Sequence, residues 1–204
     1  MDTAFLISAF VTLFVVIDPL GLAPLFAALT QDDSPARRRA IAFRSVAIGF
    51  ALLCLFGIAG EAVLGFVGIS MPAFRIAGGL LLFLTALEML FERRTKRRED
   101  QTEEDRPDPS IFPLATPLIA GPGAIASMIL LSGAPNATWS STLQVIAVMA
   151  TVLALVLILF LGAGLLQRLL GKTGINVATR LLGMLLAALS VQFVIDGLRD
   201  LSLL

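Results

Sequence analysis

A carboxylate followed by proline lies inside an apolar stretch near the N-terminus. Asp18 begins the sequence Asp-Pro-Leu-Gly-Leu-Ala-Pro, so one charge, two prolines and a glycine fall within seven residues. Proline removes a backbone donor and clashes with the preceding turn, and glycine weakens a helix. An interrupted helix would expose backbone polar groups beside Asp18. Such a site could bind an ammonium group, a proton or a sodium ion, although Asp before Pro could also cap the following helix.

A similar stretch recurs in the second half of the chain, where Thr116 begins Thr-Pro-Leu-Ile-Ala-Gly-Pro-Gly. Its two prolines are five positions apart, as are Pro19 and Pro24. Aligning the first prolines pairs Asp18 with Thr116, so Thr116 is predicted to cap a second half-helix. Helix N-termini suit a carboxylate, and half-helix C-termini suit a cation. The predicted substrate-binding residues are Asp18, Leu20, Gly21, Thr116, Ile119, Ala120, Gly121 and Gly123.

Other polar residues recur at matching intervals. Arg75 is followed by glycine after three positions and Thr85 after ten, and Arg180 by glycine after three and Ser190 after ten. For the two arginines, snorkelling to lipid headgroups or a structural ion pair is the alternative to substrate contact. Ser190 and Gln192 are expected to face the inside of a helical bundle. The predicted supporting residues are Pro19, Pro24, Arg75, Thr85, Pro117, Pro122, Arg180, Ser190 and Gln192.

The composition places these motifs in a membrane. Of the 204 residues, 57% are hydrophobic and 15% are charged, and the formal net charge is zero. Soluble domains carry about 25% charged residues, and nucleic-acid binders need a basic excess. The chain has no histidine and a single cysteine, Cys54, which excludes histidine-based catalysis and zinc sites and a dithiol redox pair. We therefore expect no enzymatic activity, no metal site and no cofactor.

Charge-poor stretches long enough to cross a bilayer predict six transmembrane helices. They cover approximately residues 4–29, 40–66, 71–91, 111–132, 142–167 and 177–198. Basic residues occupy the loops 31–39, 92–110 and 168–176 but not the two connections between them. The positive-inside rule therefore places these three loops in the cytoplasm and both termini outside.

The charged loop 92–110 divides the chain into two halves, 1–91 and 111–204, with three predicted spans each. Because three is odd, the second half must enter the membrane from the opposite side to the first. The paired motifs thus predict an all-α membrane protein built from two inverted three-helix repeats, with helices 1 and 4 broken at the Pro/Gly motifs. Secondary transporters commonly have this plan, and bind their substrates at such breaks.

Several stretches resemble the MarC family of bacterial and archaeal inner-membrane proteins. They are residues 17–21, 24–26, 74–79, 86–89 and 113–125, and the resemblance extends over essentially the full length. It implies a multi-pass inner-membrane protein in a grouping that includes lysine exporters. Because at least one relative transports small neutral amino acids, it also implies a secondary transporter for glycine-like or alanine-like substrates. A proton or sodium gradient would drive it, since no nucleotide-binding motif is present. An exporter of cations or other small solutes, or a non-transporting membrane scaffold, is the alternative.

Overall fold

The computed structural model describes residues 3–91, 108–133 and 138–201, which form helices without any strand. The elements are α1 (Thr3–Ile17), α2 (Pro19–Leu29), α3 (Pro35–Val67), α4 (Met71–Leu90), α5 (Ser110–Ile119), α6 (Pro122–Ser132), α7 (Trp139–Leu161) and α8 (Ala163–Asp200). α5 is irregular, and α8 is interrupted at Gly171, where φ is 62°. The predicted all-α class is confirmed for the described part of the chain.

Five helical segments of the described chain are long and apolar enough to cross a membrane. They are Thr3–Leu29, Pro35–Val67, Met71–Leu90, Trp139–Leu161 and Thr173–Asp200. α5 and α6, which meet at an angle of 54°, would together make a sixth. Large apolar side chains such as Phe43, Leu55 and Ile158 are more than half exposed, as expected of residues that face lipid. The integral membrane character is confirmed, and the number of six spans stays a prediction.

Two predicted boundaries differ from the helix ends in the structure. α3 begins at Pro35, within the predicted loop 31–39, since the Ser34 hydroxyl accepts a hydrogen bond from the Arg37 backbone N–H (3.3 Å) and proline occupies the first turn. α7 ends at Leu161, well before the predicted end at 167. The predicted loop 168–176 is largely helical on either side of Gly171. Most of the predicted loop 92–110, residues 92–107, lies outside the described residues.

α4 and α8 form an extensive antiparallel pair that brings two helix backbones close together. A Cβ on Gly79 would lie 2.8 Å from the Ser190 carbonyl oxygen, and one on Gly183 would lie 2.9 Å from the Met89 Cβ. Near one end of the pair, the buried Arg75 guanidinium forms an ion pair with Asp200. Arg75 therefore has the structural ion pair that was one of its predicted roles.

Each broken helix packs mainly on helices from the other half of the chain. α1 and α2 contact α7 and α8, whereas α5 and α6 contact α3, and α6 also contacts α4. α3 in addition contacts α7, and α4 contacts α8. The two halves are thus interleaved, and the break at Asp18 is buried among the helices that surround it.

The start of α5 is tied to α3 by Asp108. Its Oδ1 accepts hydrogen bonds from the Ser110 hydroxyl (2.6 Å) and the Ser110 backbone N–H (3.0 Å), and its Oδ2 forms an ion pair with Arg44 of α3. The bonds from Ser110, and secondarily the Arg44 charge, lower the pKa of Asp108. This link fixes where the chain turns into α5.

The close approach of α4 and α8 makes Gly79→Ala destabilising. The new methyl group would meet backbone atoms that cannot rotate away, so we expect the free energy of unfolding to fall by about 1–3 kcal/mol. Gly65→Ala is the matched control, because a Cβ there has nothing within 4 Å. Alanine favours a helix over glycine, so the control should leave the melting temperature unchanged or raise it. Equal melting temperatures for both variants in detergent would contradict this packing.

Candidate functional site

The first helix break is a single residue, Asp18, which has a left-handed backbone conformation (φ 58°, ψ 65°). Its side-chain Oδ1 accepts a hydrogen bond from the Gly21 backbone N–H at 3.1 Å and so caps α2. Backbone hydrogen bonds continue across the break, from the Asp18 N–H to the Phe14 carbonyl (2.9 Å) and from the Leu22 N–H to the Asp18 carbonyl (3.0 Å). The interruption therefore leaves the helical backbone hydrogen bonds on either side of Asp18 in place.

The local sequence explains this conformation. A residue before proline is disfavoured in the right-handed helical region, and aspartate tolerates the left-handed one better than most side chains do. Gly21 leaves room for the cap, since a Cβ on it would lie 2.2 Å from the Asp18 Oδ2. Asp18 is only 1% exposed. Its negative charge therefore lies against the positive end of α2, which offsets part of the cost of burying it.

The second break is wider. Phe112 and Thr116, each followed by a proline in a cis peptide bond, have extended backbone conformations. The Ala120 N–H bonds to the Ala115 carbonyl at 2.8 Å, five residues back, which widens the turn. The chain then bends by 54° into α6, whose N-cap is Gly121. A Cβ on Gly121 would lie 2.5 Å from the Pro117 carbonyl oxygen, so this bend requires glycine.

Among the residues that the structure describes, no side chain caps the N-terminus of α6. Its first intrahelical backbone bond runs from the Ile125 N–H to the Gly121 carbonyl (3.0 Å). The N–H groups of Gly123 and Ala124 precede that bond and point out of the helix end. This end is thus a positive pole without a carboxylate, whereas the matching end of α2 is already occupied by Asp18.

The prediction that Thr116 caps the second half-helix is wrong. α2 and α6 each have eleven residues and begin with proline after their N-cap, so the counterpart of Asp18 is Gly121. Thr116 is exposed and lies in extended backbone before Pro117, five residues ahead of that cap. It therefore does not cap α6. Matching the spacing of the prolines aligned Pro19 with Pro117, although Pro19 and Pro122 are the residues that begin helices.

The two breaks adjoin one another. A Cβ on Gly123 would lie 3.2 Å from the Val16 Cγ1, 3.4 Å from the Leu82 Cδ2 and 3.7 Å from the Thr85 Oγ1. Val16 lies two residues before Asp18, so the start of α6 adjoins the end of α1. We call the region formed by Val16, Asp18, Thr85, Gly121 and Gly123 the break centre.

Most of the predicted binding residues lie near the break centre. Pro19, Leu20 and Gly21 form the first turn of α2, and Pro24 lies farther along it. Pro117 and Pro122 flank the bend into α6, together with the buried Ala120. Ile119 is buried but faces α3, since its Cγ2 would lie 2.5 Å from a Cβ on Gly49. Thr85, whose hydroxyl donates to the Leu81 carbonyl at 3.0 Å, is the one predicted supporting residue of α4 that reaches the site.

Four predicted supporting residues lie elsewhere. Arg75 is ten residues from Thr85, about 15 Å along α4, and is bound to Asp200. Arg180 is exposed on α8, three residues before Gly183. Ser190 is buried, as predicted, but it packs against Gly79 and donates to the Ala187 carbonyl at 2.7 Å. Gln192 is exposed and donates to Asp196 at 2.8 Å, so its predicted inward orientation is wrong.

Sequence reasoning missed Val16 and Leu82, which enclose Gly123. In a span where almost every residue is apolar, the sequence pattern does not distinguish residues that line a site from residues that face lipid. The corrected alignment had a usable signal, since a Pro at the first helical position follows both Asp18 and Gly121. The proline at the first helical position, unlike the spacing between prolines, pairs the two N-cap residues.

The cap predicts different effects for two substitutions of Asp18. Asp18→Ala removes the acceptor for the Gly21 N–H and puts alanine in a left-handed conformation, so the free energy of unfolding should fall by about 2 kcal/mol. Asp18→Asn keeps an acceptor and tolerates that conformation, so its melting temperature should stay near that of the unaltered protein. Thermal unfolding in detergent, followed by circular dichroism, measures both. Equal destabilisation by the two substitutions would contradict the capping role.

Comparison with known proteins gives the family. The chain matches the MarC family of integral membrane proteins over residues 3–202. It is 34% identical over 202 residues to the UPF0056 membrane protein MJ1677 of Methanocaldococcus jannaschii, with 98% of each chain covered. It is 36% identical over 195 residues to the UPF0056 inner membrane protein YhgN of Escherichia coli K12, with 95% of this chain and 96% of the relative covered.

A UPF0056 membrane protein of Archaeoglobus fulgidus is 36% identical over 201 residues, with 97% of this chain and 93% of the relative covered. No solved structure matches the chain. The apolar helices and the inner-membrane relative support a multi-pass protein of the inner membrane. The chain belongs to the MarC family of integral membrane proteins.

Proposed function

We propose that this protein is a secondary transporter of small neutral amino acids and that the break centre is its binding site. The observation that carries the proposal is the difference between the two half-helix N-termini. Asp18 caps the N-terminus of α2, whereas the N-terminus of α6 has no side-chain cap among the described residues, and the start of α6 contacts Val16, two residues before Asp18. A zwitterion carries one negative and one positive group, and this pair of helix ends offers a complement to each.

The substrate carboxylate binds at the N-terminus of α6. The N–H groups of Gly123 and Ala124 precede the first intrahelical bond, and the helix dipole favours an anion there. Gly121 and Gly123 carry no side chain that would keep a carboxylate away from the backbone. Discontinuous helices of other transporters bind substrate carboxylates in this way.

The substrate ammonium group lies toward Asp18 and the end of α1. The Asp18 carboxylate is nearly fully buried, where its field is weakly screened. The C-terminus of α1 ends at Ile17 beside it and contributes partial negative charge. Asp18 thus serves α2 as a cap and the substrate as an anion.

The neighbours of Gly123 favour small substrates. Val16, Leu82 and Thr85 surround the position where a Cβ on Gly123 would project, at 3.2–3.7 Å. Because even one Cβ there comes into contact with these side chains, a substrate bound beside Gly123 must have a short side chain. Glycine, alanine and serine are the substrates that we propose.

Reciprocal packing supports the inverted repeat as part of this proposal. α1–α2 pack on α7 and α8, α5–α6 pack correspondingly on α3 and α4, and α4 pairs with α8. Exchanging the two halves leaves this pattern nearly unchanged, as a two-fold axis between them would; three spans in each half would put that axis in the membrane plane. Rocking of the two repeats about the break centre would then expose it to either side in turn.

A proton or sodium gradient supplies the energy in this proposal. We also propose the sidedness that the basic loops predict, with loops 31–39, 92–110 and 168–176 in the cytoplasm and both termini outside. An exporter of cations or other small solutes is the alternative, and the first experiment below separates the two.

Uptake into proteoliposomes tests the proposal. We expect labelled glycine, alanine and serine to accumulate under an imposed proton or sodium gradient, and to exchange in counterflow with unlabelled substrate. Asp18→Asn should reduce uptake strongly while the protein stays folded, because the ammonium group loses its charged partner. The absence of both uptake and counterflow for all three amino acids would defeat the proposal. Ion flux without amino-acid uptake would favour the cation exporter.

Gly123→Ala tests the position of the site. The added methyl group would project among Val16, Leu82 and Thr85, where the substrate side chain is proposed to lie. We expect alanine uptake to fall by roughly tenfold or more relative to glycine uptake, since one methyl group in a pocket changes discrimination by that order. Gly65→Ala is the matched control and should change neither rate. An unchanged ratio of alanine to glycine uptake in Gly123→Ala would place the substrate elsewhere.

A further inference from the structure

A cavity of about 690 Å³ opens between the start of α3 and the connection from α7 to α8. Its volume is in the range of small-molecule sites, which is about 300–1,000 Å³. It lies on the side of the basic loops, and its walls come from both halves of the chain. Asp33, Arg38 and Arg39 line one wall, and Leu161 and Leu165 line the other.

The floor of this cavity is an aromatic pair. Phe26 of α2 and Phe160 of α7 stack with their ring centroids 4.4 Å apart and their planes inclined by only 5°. Both residues border the cavity, although only 1% of Phe26 and 0% of Phe160 is exposed to solvent. The two rings therefore form a closed surface at this end of the cavity. The pair joins a helix of one half of the chain to a helix of the other, at a contact that any relative movement of the halves would change.

The break centre lies directly along α2 beneath this floor. Leu22 is four residues from Phe26 and Asp18 is eight, which correspond to about 6 Å and 12 Å of helix. Leu22, Ala23 and Asp18 are all buried. The aromatic pair is thus about two helical turns from Asp18, and it lies between that residue and the cavity along α2.

The rim of the cavity is positively charged. Asp33 forms an ion pair with Arg37 at 2.9 Å, so its charge is compensated. Arg38, which is half-buried, and Arg39 form no ion pair within the described residues. Their charges raise the local concentration of solutes that carry a carboxylate.

We propose that this cavity is the vestibule through which the substrate reaches the break centre, and that Phe26 and Phe160 are its gate. This inference rests on the proposed transport function. Arg38 and Arg39 attract the substrate carboxylate into the vestibule, and separation of the two rings opens the way along α2. The described conformation is closed on this side, with the rings stacked.

Thiol labelling at position 22 tests the gate without any transported substrate. Leu22→Cys in a Cys54→Ala background places the only thiol one turn beneath the floor. A charged methanethiosulfonate reagent should label it slowly in detergent while both rings are present. Phe26→Ala or Phe160→Ala should raise the labelling rate by roughly tenfold or more, since access to a buried group follows the free energy of local opening. Phe26→Leu serves as the milder variant if alanine prevents folding.

Two controls make the result specific. Phe14→Ala breaks another stacked pair, Phe10 with Phe14 at 5.8 Å, which does not border the cavity, and should leave the rate at position 22 unchanged. Leu53→Cys, in the same Cys54→Ala background, replaces a fully buried leucine of α3. Its thiol should remain slow to label when Phe26 is substituted. Fast labelling at position 22 with both rings intact, an equal rise with Phe14→Ala, or a parallel rise at position 53 would overturn the gate. If the ring substitutions speed labelling at position 22 but no amino acid is taken up, the gate is supported and the proposed substrate is rejected. If amino acids are taken up but the ring substitutions do not change the labelling rate, the substrate is supported and the gate is rejected.

Discussion

Backbone N–H and C=O groups that lose their helical hydrogen bonds inside a membrane need other hydrogen-bond partners. The rest of this structure depends on how the two helix breaks provide those partners. At the first break the Asp18 carboxylate bonds to the Gly21 N–H, and the backbone bonds continue on either side. At the second break, α6 begins without a side-chain cap. Water cannot supply the missing partner in a hydrocarbon environment. The surrounding helices place both breaks where protein groups or a bound solute can accept these hydrogen bonds.

This asymmetry is the physical basis of the proposed function. Two capped breaks would describe a static helix bundle, and two uncapped breaks would attract two anions. One capped and one uncapped break, with Val16 adjoining Gly123, offer a negative and a positive pole within one small space. The interleaving of the two halves explains why the poles lie together, because each broken helix is held by helices of the other half. Relative movement of the halves would therefore act on the site itself.

The sequence predicts the membrane-spanning helices well because apolar length and charge-free stretches are sufficient for that purpose. It also predicts both breaks, since proline and glycine act locally. The residue at the N-cap of the second half-helix is Gly121 and not the predicted Thr116. The spacing between prolines is a weaker constraint than the preference of proline for the first helical position. Gln192 was placed inward because it is polar, although an adjacent Asp196 supplies its partner on the exposed face. The contact between Phe26 and Phe160 joins residues far apart in the chain, and no local pattern encodes it.

The most direct measurement of the central claim is an experimental structure determined with bound alanine. We expect the alanine carboxylate oxygens to lie about 3 Å from the backbone nitrogens of Gly123 and Ala124, with the ammonium group toward Asp18. Alanine bound only at the arginine rim of the cavity, or bound at the break centre with its ammonium group toward α6, would contradict the account.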